Sequence, residues 1–166
     1  VKACRWIGLL AVGATLAGAA PGKVVVVRHA ETVASTDPDR GLSEQGTRRM
    51  VALGGIMDAE HVTHVFTSQY PRAIHTAGPT AQVRGLAFES IDARQLSTLV
   101  DRVRVLQNDE VALIVGHSNT VPEIIAALGG AAIAPIAEDE YNRLVVLTFA
   151  TDGTITTRER VYEPAD

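Results

Sequence analysis

Apolar positions along this chain alternate between two periods. Val24-Val25-Val26-Val27 and Val111-Ala112-Leu113-Ile114-Val115 are unbroken apolar runs, the pattern of strands buried on both faces. Val62–Phe66 is a third strand-like run. Between these runs the period becomes helical. Met50, Leu53 and Met57 share one face after Ser43, a capping residue type. Leu96, Leu99, Val100, Val103 and Leu106 form an apolar stripe. Ile124, Ile125 and Leu128 form another, which Gly129-Gly130 ends. Leu144–Phe149 and Ile155–Val161 flank Thr151-Asp152-Gly153, a hairpin signal. This order predicts an α/β fold: a three-layer sandwich with a mostly parallel central sheet, an antiparallel edge strand and helices on both faces. No repeat, charge block or low-complexity linker divides residues 21–166, which read as one domain.

Residues 1–20 read differently. Lys2 and Arg5 precede the apolar stretch Ile7–Ala20, and Ala17-Gly18-Ala19 is a small-x-small cleavage pattern. The segment predicts a secretory signal peptide and an exported protein, periplasmic or extracellular. The stretch is short of the ~20 residues that a stable membrane span needs. Cys4 and Trp6 both fall within residues 1–20, so the remaining chain has neither residue type. The predicted domain therefore has no disulfide framework and relies on its core. The net charge of -4 disfavours nucleic acid as a partner, so attraction for an anionic ligand must be local to a pocket.

The chemistry sits where the strands end. Val24–Val27 runs directly into Arg28-His29-Ala30-Glu31-Thr32. Open α/β sheets bind ligands at the carboxyl ends of their strands. An arginine there suits phosphate, and a histidine serves as nucleophile or acid/base near neutral pH. The second run leads to Thr67-Ser68-Gln69-Tyr70-Pro71-Arg72 and on through Ala73-Ile74-His75-Thr76-Ala77. Pro71 suits the first turn of a helix, and Ala73 and Ala77 give that helix a close-packing face. Val111–Val115 ends in Gly116-His117-Ser118-Asn119-Thr120, at the start of another helix. Three strand ends thus supply two arginines and two histidines.

Arg28-His29-Ala30-Glu31-Thr32, the stretch from Ser68 through Arg72-Ala73 to Thr76-Ala77, and Gly116-His117-Ser118-Asn119 together resemble the histidine phosphatase superfamily, which includes the phosphoglycerate mutases. The resemblance implies a cofactor-free, metal-free α/β domain with a phosphohistidine mechanism. It implies His29 as nucleophile, Arg28 and Arg72 as phosphate clamps, and His117 as the second pocket histidine. A protonated His117 would join the arginines around the phosphoryl oxygens, and nearby cations would keep His29 neutral for attack. Asn119 and Thr32 are further ligand candidates; Asn119 also reads as a helix cap.

The proton donor departs from the family pattern, in which an acid within a glutamate-rich stretch follows the second arginine. Here the chain reads Leu86-Ala87-Phe88-Glu89-Ser90-Ile91-Asp92. Asp92 is the first candidate, with a helix N-cap as its other reading; Glu89 is second and Glu31 third. His61 and His64 are three apart around a strand entry and point to opposite faces, unlike metal ligands. His75 reads as pocket rim or helix surface, and Glu138-Asp139-Glu140 as a solvated loop that can orient a pocket loop. The spacings leave little room for an inserted cap, as in a minimal phosphatase. The expected partner is a phosphorylated small molecule, or a phosphorylated protein or lipid group. The alternatives are a phosphoglycerate mutase-like isomerase and a non-catalytic phosphoanion-binding module.

Overall fold

The computed structural model describes residues 20–164. The predicted signal peptide, all but its last residue, lies outside the described residues. The chain runs β1 (Lys23–Arg28), α1 (Glu44–Ala59), β2 (His64–Thr67), α2 (Pro71–Arg84), β3 (Phe88–Ser90), α3 (Leu96–Arg104), β4 (Val111–Gly116), α4 (Thr120–Ala127), β5 (Arg143–Phe149) and β6 (Ile155–Val161). One six-stranded sheet has the order β3-β2-β4-β1-β5-β6. β3, β2, β4 and β1 pair in parallel, whereas β5 runs antiparallel to β1 and β6 antiparallel to β5. The antiparallel edge is the two-stranded hairpin that the runs Leu144–Phe149 and Ile155–Val161 predict. Its turn is released by Gly153 at φ 85°, a conformation glycine adopts without steric cost.

The valine run divides its side chains between two cores because successive residues of a strand face opposite ways. Val24 and Val26 join Val100, Val103, Ile124 and Ile125 under α3 and α4, while Val25 and Val27 join Leu53, Met57, Ala73 and Ala77 under α1 and α2. All four valines are fully buried, each contributing roughly 1.5–3 kcal/mol of apolar burial. α1 begins where Ser43 Oγ accepts the Gly46 N–H at 3.1 Å, and α2 begins at Pro71, as their residue types predict. α1 starts hard against the residues that follow β1: a Cβ on Gly46 would lie 2.1 Å from the Glu31 carbonyl oxygen. β3 went unpredicted because its three residues are exposed or half-buried and carry no apolar period.

Two capping expectations are corrected. Asn119 makes no side-chain cap on α4; Thr120 Oγ1 instead accepts the His117 N–H at 2.9 Å. α3 starts after Gln95, and Asp92 Oδ1 accepts the Arg94 N–H in the turn before it. No described helix is long and apolar enough to cross a membrane.

Candidate active site

The sheet order makes β2, β4 and β1 neighbours, so their carboxyl ends deliver Ser68, His117 and Arg28-His29 side by side. The ladder extends past the strands, with His29 N–H donating to the Gly116 carbonyl at 2.9 Å. His117 lies in the middle of this row. Its Nε2 is 2.8 Å from Ser68 Oγ, and its ring meets that of His29 edge-on with centroids 5.2 Å apart. Arg28, His29, Ser68 and His117 are all buried.

His29 is held in one tautomer. Its Nδ1 lies 2.8 Å from the Ala30 carbonyl oxygen, an acceptor only, so Nδ1 carries the proton and donates it. Nε2 is left with its lone pair. Burial pulls the imidazole pKa down to about 3; His117, Arg28 and Arg72 reinforce this, and only the Ala30 hydrogen bond opposes it. The Ala30 N–H donates to Thr76 Oγ1 at 2.9 Å, and that hydroxyl donates to the Arg72 carbonyl at 2.7 Å. Thr76 thereby fixes the histidine loop against the helix that carries Arg72.

The two arginines are positioned by neutral groups. Arg28 Nη1 donates to the carbonyls of Ala137, Glu138 and Glu140 at 2.8–2.9 Å, and its guanidinium lies over the Tyr141 ring, 4.0 Å from the centroid. Arg72 Nη1 donates to the Pro38 carbonyl at 2.7 Å, and its guanidinium lies 4.3 Å from the Tyr70 centroid. In both residues Nε is buried without a partner. A buried, unpaired cationic donor is costly unless a ligand satisfies it, and two such donors beside an unprotonated imidazole suit an anion. Burial and then Arg40 lower the Arg72 pKa.

The protonated His117 expected around the phosphoryl oxygens depends on the ligand. Burial, followed by Arg72, Arg28 and Arg40, holds its pKa at about 4, so it is neutral at pH 7 in the unliganded pocket rather than protonated. A bound phosphate dianion offsets those cations and favours its protonation.

The carboxylates divide sharply. Glu31, the third candidate donor, is withdrawn: it is bidentate to buried Arg49, with contacts of 2.7–2.9 Å. Glu89 is committed to Arg102 at 2.8–3.1 Å. Asp92 spends both oxygens on Arg94, whose hydrogen bonds hold the carboxyl down at about 2. Asp92 lines a cleft between α3 and α4 that also reaches Ser68 and Thr120, and neither His29 nor Arg28 borders that cleft. His61 is exposed in the turn after α1 and His75 is exposed on α2. His64 contacts Thr63 and Glu110.

Two loop segments face the pocket, one of them the acidic run Glu138-Asp139-Glu140 that the sequence offered as able to orient a pocket loop. Arg40, on the loop after β1, donates through Nε to Thr32 Oγ1 at 3.0 Å and adds positive potential to the pocket. The segment Ala137–Tyr141 wraps Arg28. The signal for it was available: β5 is antiparallel to β1, with Leu144 paired to Val27, so whatever precedes β5 must land on the carboxyl edge.

An oxyanion is the ligand such a pocket calls for, and the class is that of α/β domains that hold a phosphate-like group against histidine. The model of the histidine phosphatase superfamily, branch 1, matches residues 24–95 of the chain. Among solved structures, the chain is similar to the protein histidine phosphatase SixA complexed with tungstate, at 15% identity and a TM-score of 0.61, over 84% of this chain and 96% of that one. It is similar also to a mycobacterial glucosyl-3-phosphoglycerate phosphatase, at 14% identity and a TM-score of 0.64, over 87% of this chain and 99% of that one. No curated protein sequence matches the chain.

Proposed function

We propose that this protein is a phosphatase that cleaves phosphate monoesters, or another phosphorylated group, through a phosphohistidine on His29. One observation carries the reading: His29 keeps Nε2 unprotonated, by tautomer and by depressed pKa, next to two arginines whose buried Nε donors have no partner. Nε2 attacks phosphorus in line. Arg28, Arg72 and a His117 protonated by the dianion hold the three peripheral oxygens, and water then attacks the phosphohistidine. The glutamate at the pocket rim, Glu138, has a side chain 89% exposed, so water reaches the mouth, which favours hydrolysis over retention of the phosphoryl group. The same proposal puts the enzyme outside the cytoplasm, on the strength of the basic start and apolar run of residues 1–20; a native mass beginning near Ala20 or Pro21 tests that part.

Acid-labile, base-stable label on His29 after quenching turnover of a ³²P-labelled ester is the expected result. His29→Ala removes both label and turnover with the fold intact by circular dichroism. Label on a serine peptide, or turnover by His29→Ala, would falsify the mechanism.

A further inference from the structure

We infer that Glu138 is the proton donor to the leaving oxygen and that the leaving group occupies the groove beside it. This assignment rests on the phosphatase reading above. The leaving oxygen of an alkyl phosphate must be protonated as its bond to phosphorus breaks, and the carboxylates that the residue pattern offers for this are committed elsewhere. Glu31, Glu89 and Asp92 each spend their oxygens on an arginine outside the pocket. Glu138 differs in kind. Its Oε1 accepts from Ser118 Oγ at 3.1 Å, which directs the side chain toward the His117 segment. Its Oε2 lies 3.5 Å from Arg28 Nη2, too long for a strong hydrogen bond but at the guanidinium that faces the phosphate. The backbone carbonyls of Ala137, Glu138 and Glu140 anchor the loop to the same arginine, so the carboxylate is held in place although it is exposed.

The surroundings fit a leaving-group site. Glu138 and Ser118 line an open groove together with Asn119, Pro122, Ile133, Pro135 and Ile136. Through its approach to Arg28 the carboxylate stands between that arginine and a groove whose other walls are largely apolar. An ester with its phosphate on Arg28 and Arg72 and its carbon chain along Pro122 and Ile136 brings the bridging oxygen to Glu138.

The steps balance. Nε2 of His29 forms the N–P bond as the P–O bond to the alcohol breaks, and the Glu138 proton passes to that oxygen, releasing the neutral alcohol. Water then attacks phosphorus while giving a proton to the Glu138 carboxylate. The N–P bond breaks with its electron pair returning to Nε2, and inorganic phosphate leaves.

The test measures kcat/KM, which stops at phosphoryl transfer to His29, for hexyl phosphate and for 4-nitrophenyl phosphate, whose leaving group departs without a proton. Glu138→Gln should lose on the order of 10²-fold or more on hexyl phosphate and no more than about threefold on the aryl ester. The basic limb of the wild-type pH profile on hexyl phosphate should disappear with it, which a merely structural role would not produce. Asp92→Asn, run in parallel, should show no such dependence on the leaving group. Equal losses on both esters in Glu138→Gln, a leaving-group-dependent loss in Asp92→Asn instead, or wild-type turnover of the aryl ester alone would overturn this assignment and leave the phosphatase reading standing. Wild-type protein inert toward both esters and unlabelled at His29 would overturn that reading and this assignment with it.

Discussion

Two arginines buried to nearly the same degree, Arg28 and Arg49, sit on opposite sides of the histidine loop and do opposite things. Arg49 is 3% exposed and Arg28 4%, and each guanidinium lies over a tyrosine ring, Tyr162 for Arg49 and Tyr141 for Arg28. Arg49 is electrically finished: Glu31 caps it with a two-pronged ion pair, and Nη1 donates to the Tyr162 carbonyl at 2.7 Å. Those partners hold its pKa up against burial, the largest single influence on it. Arg28 is held by three neutral carbonyls, keeps a buried Nε without a partner, and has one exposed carboxylate at 3.5 Å. A buried cation whose charge is cancelled locally is architecture. One held by carbonyl dipoles, with a single exposed carboxylate at longer range, keeps most of its charge for a ligand.

That contrast predicts opposite phenotypes. Arg28→Ala should lower kcat/KM by about 10³-fold or more, as for other arginines that stabilise a phosphoryl group in transfer, and this is the largest effect expected of the pair. The unfolding midpoint should move less than in the Arg49 variant described next, and His29 should stay in its hydrogen bond to Ala30. An Arg28→Ala enzyme with near-normal turnover would mean that its uncompensated charge serves the loop at 137–141 rather than substrate.

Arg49→Ala removes the partner of a carboxylate that is only 12% exposed. Leaving a buried charge uncompensated typically costs about 3–5 kcal/mol, so chemical denaturation should show a loss of that order. Molecules that remain folded should still take label on His29. Arg49→Ala with normal stability and a dead active site would reverse the roles proposed for the two arginines.

The same pair marks the limit of what the residue pattern carries. Arg28 was legible because it follows four valines: a buried strand that ends in Arg-His has to release both at a sheet edge, and the edge where α/β ligands bind is known. His117 and Ser68 were legible for the same reason, as were the two helical layers, whose apolar stripes are periodic. Arg49 was opaque. It lies in the polar stretch Gly46-Thr47-Arg48-Arg49, and only the close approach of α1 to the residue 31 backbone reveals that it turns inward. Glu31 was consequently read as a possible acid when it is one half of an ion pair. Arg40 and Tyr141 were hidden, and Glu138 was read only as part of a solvated loop able to orient a pocket loop, because loop residues acquire position from tertiary contacts, which no local period encodes. The antiparallel direction of β5 was predicted, yet its corollary was not drawn: the loop entering that strand must reach the catalytic edge.

The remaining expected effect concerns protons. The uncompensated cations Arg28 and Arg72, with burial as the larger cause, keep His29 at about 3 and His117 at about 4, against about 6.5 for an unfolded histidine. Below pH 6.5 the unfolded chain therefore binds protons that the native pocket refuses, and stability falls as pH falls. The contribution is fully present above 6.5 and is lost progressively down to the native values of about 4 and about 3. Each imidazole contributes a slope of about 1.4 kcal/mol per pH unit across that window. Carboxylates titrate in the same range, so the informative quantity is a difference: denaturation of wild type and of His29→Asn/His117→Asn, compared between pH 4.5 and 6.5. The double variant should be flatter by roughly the two-histidine slope. Parallel curves for wild type and the double variant would show that the imidazoles take up protons in the native state as freely as in the unfolded one. The pocket around Arg28 would then carry no more unbalanced positive potential than the neutral pair at Arg49.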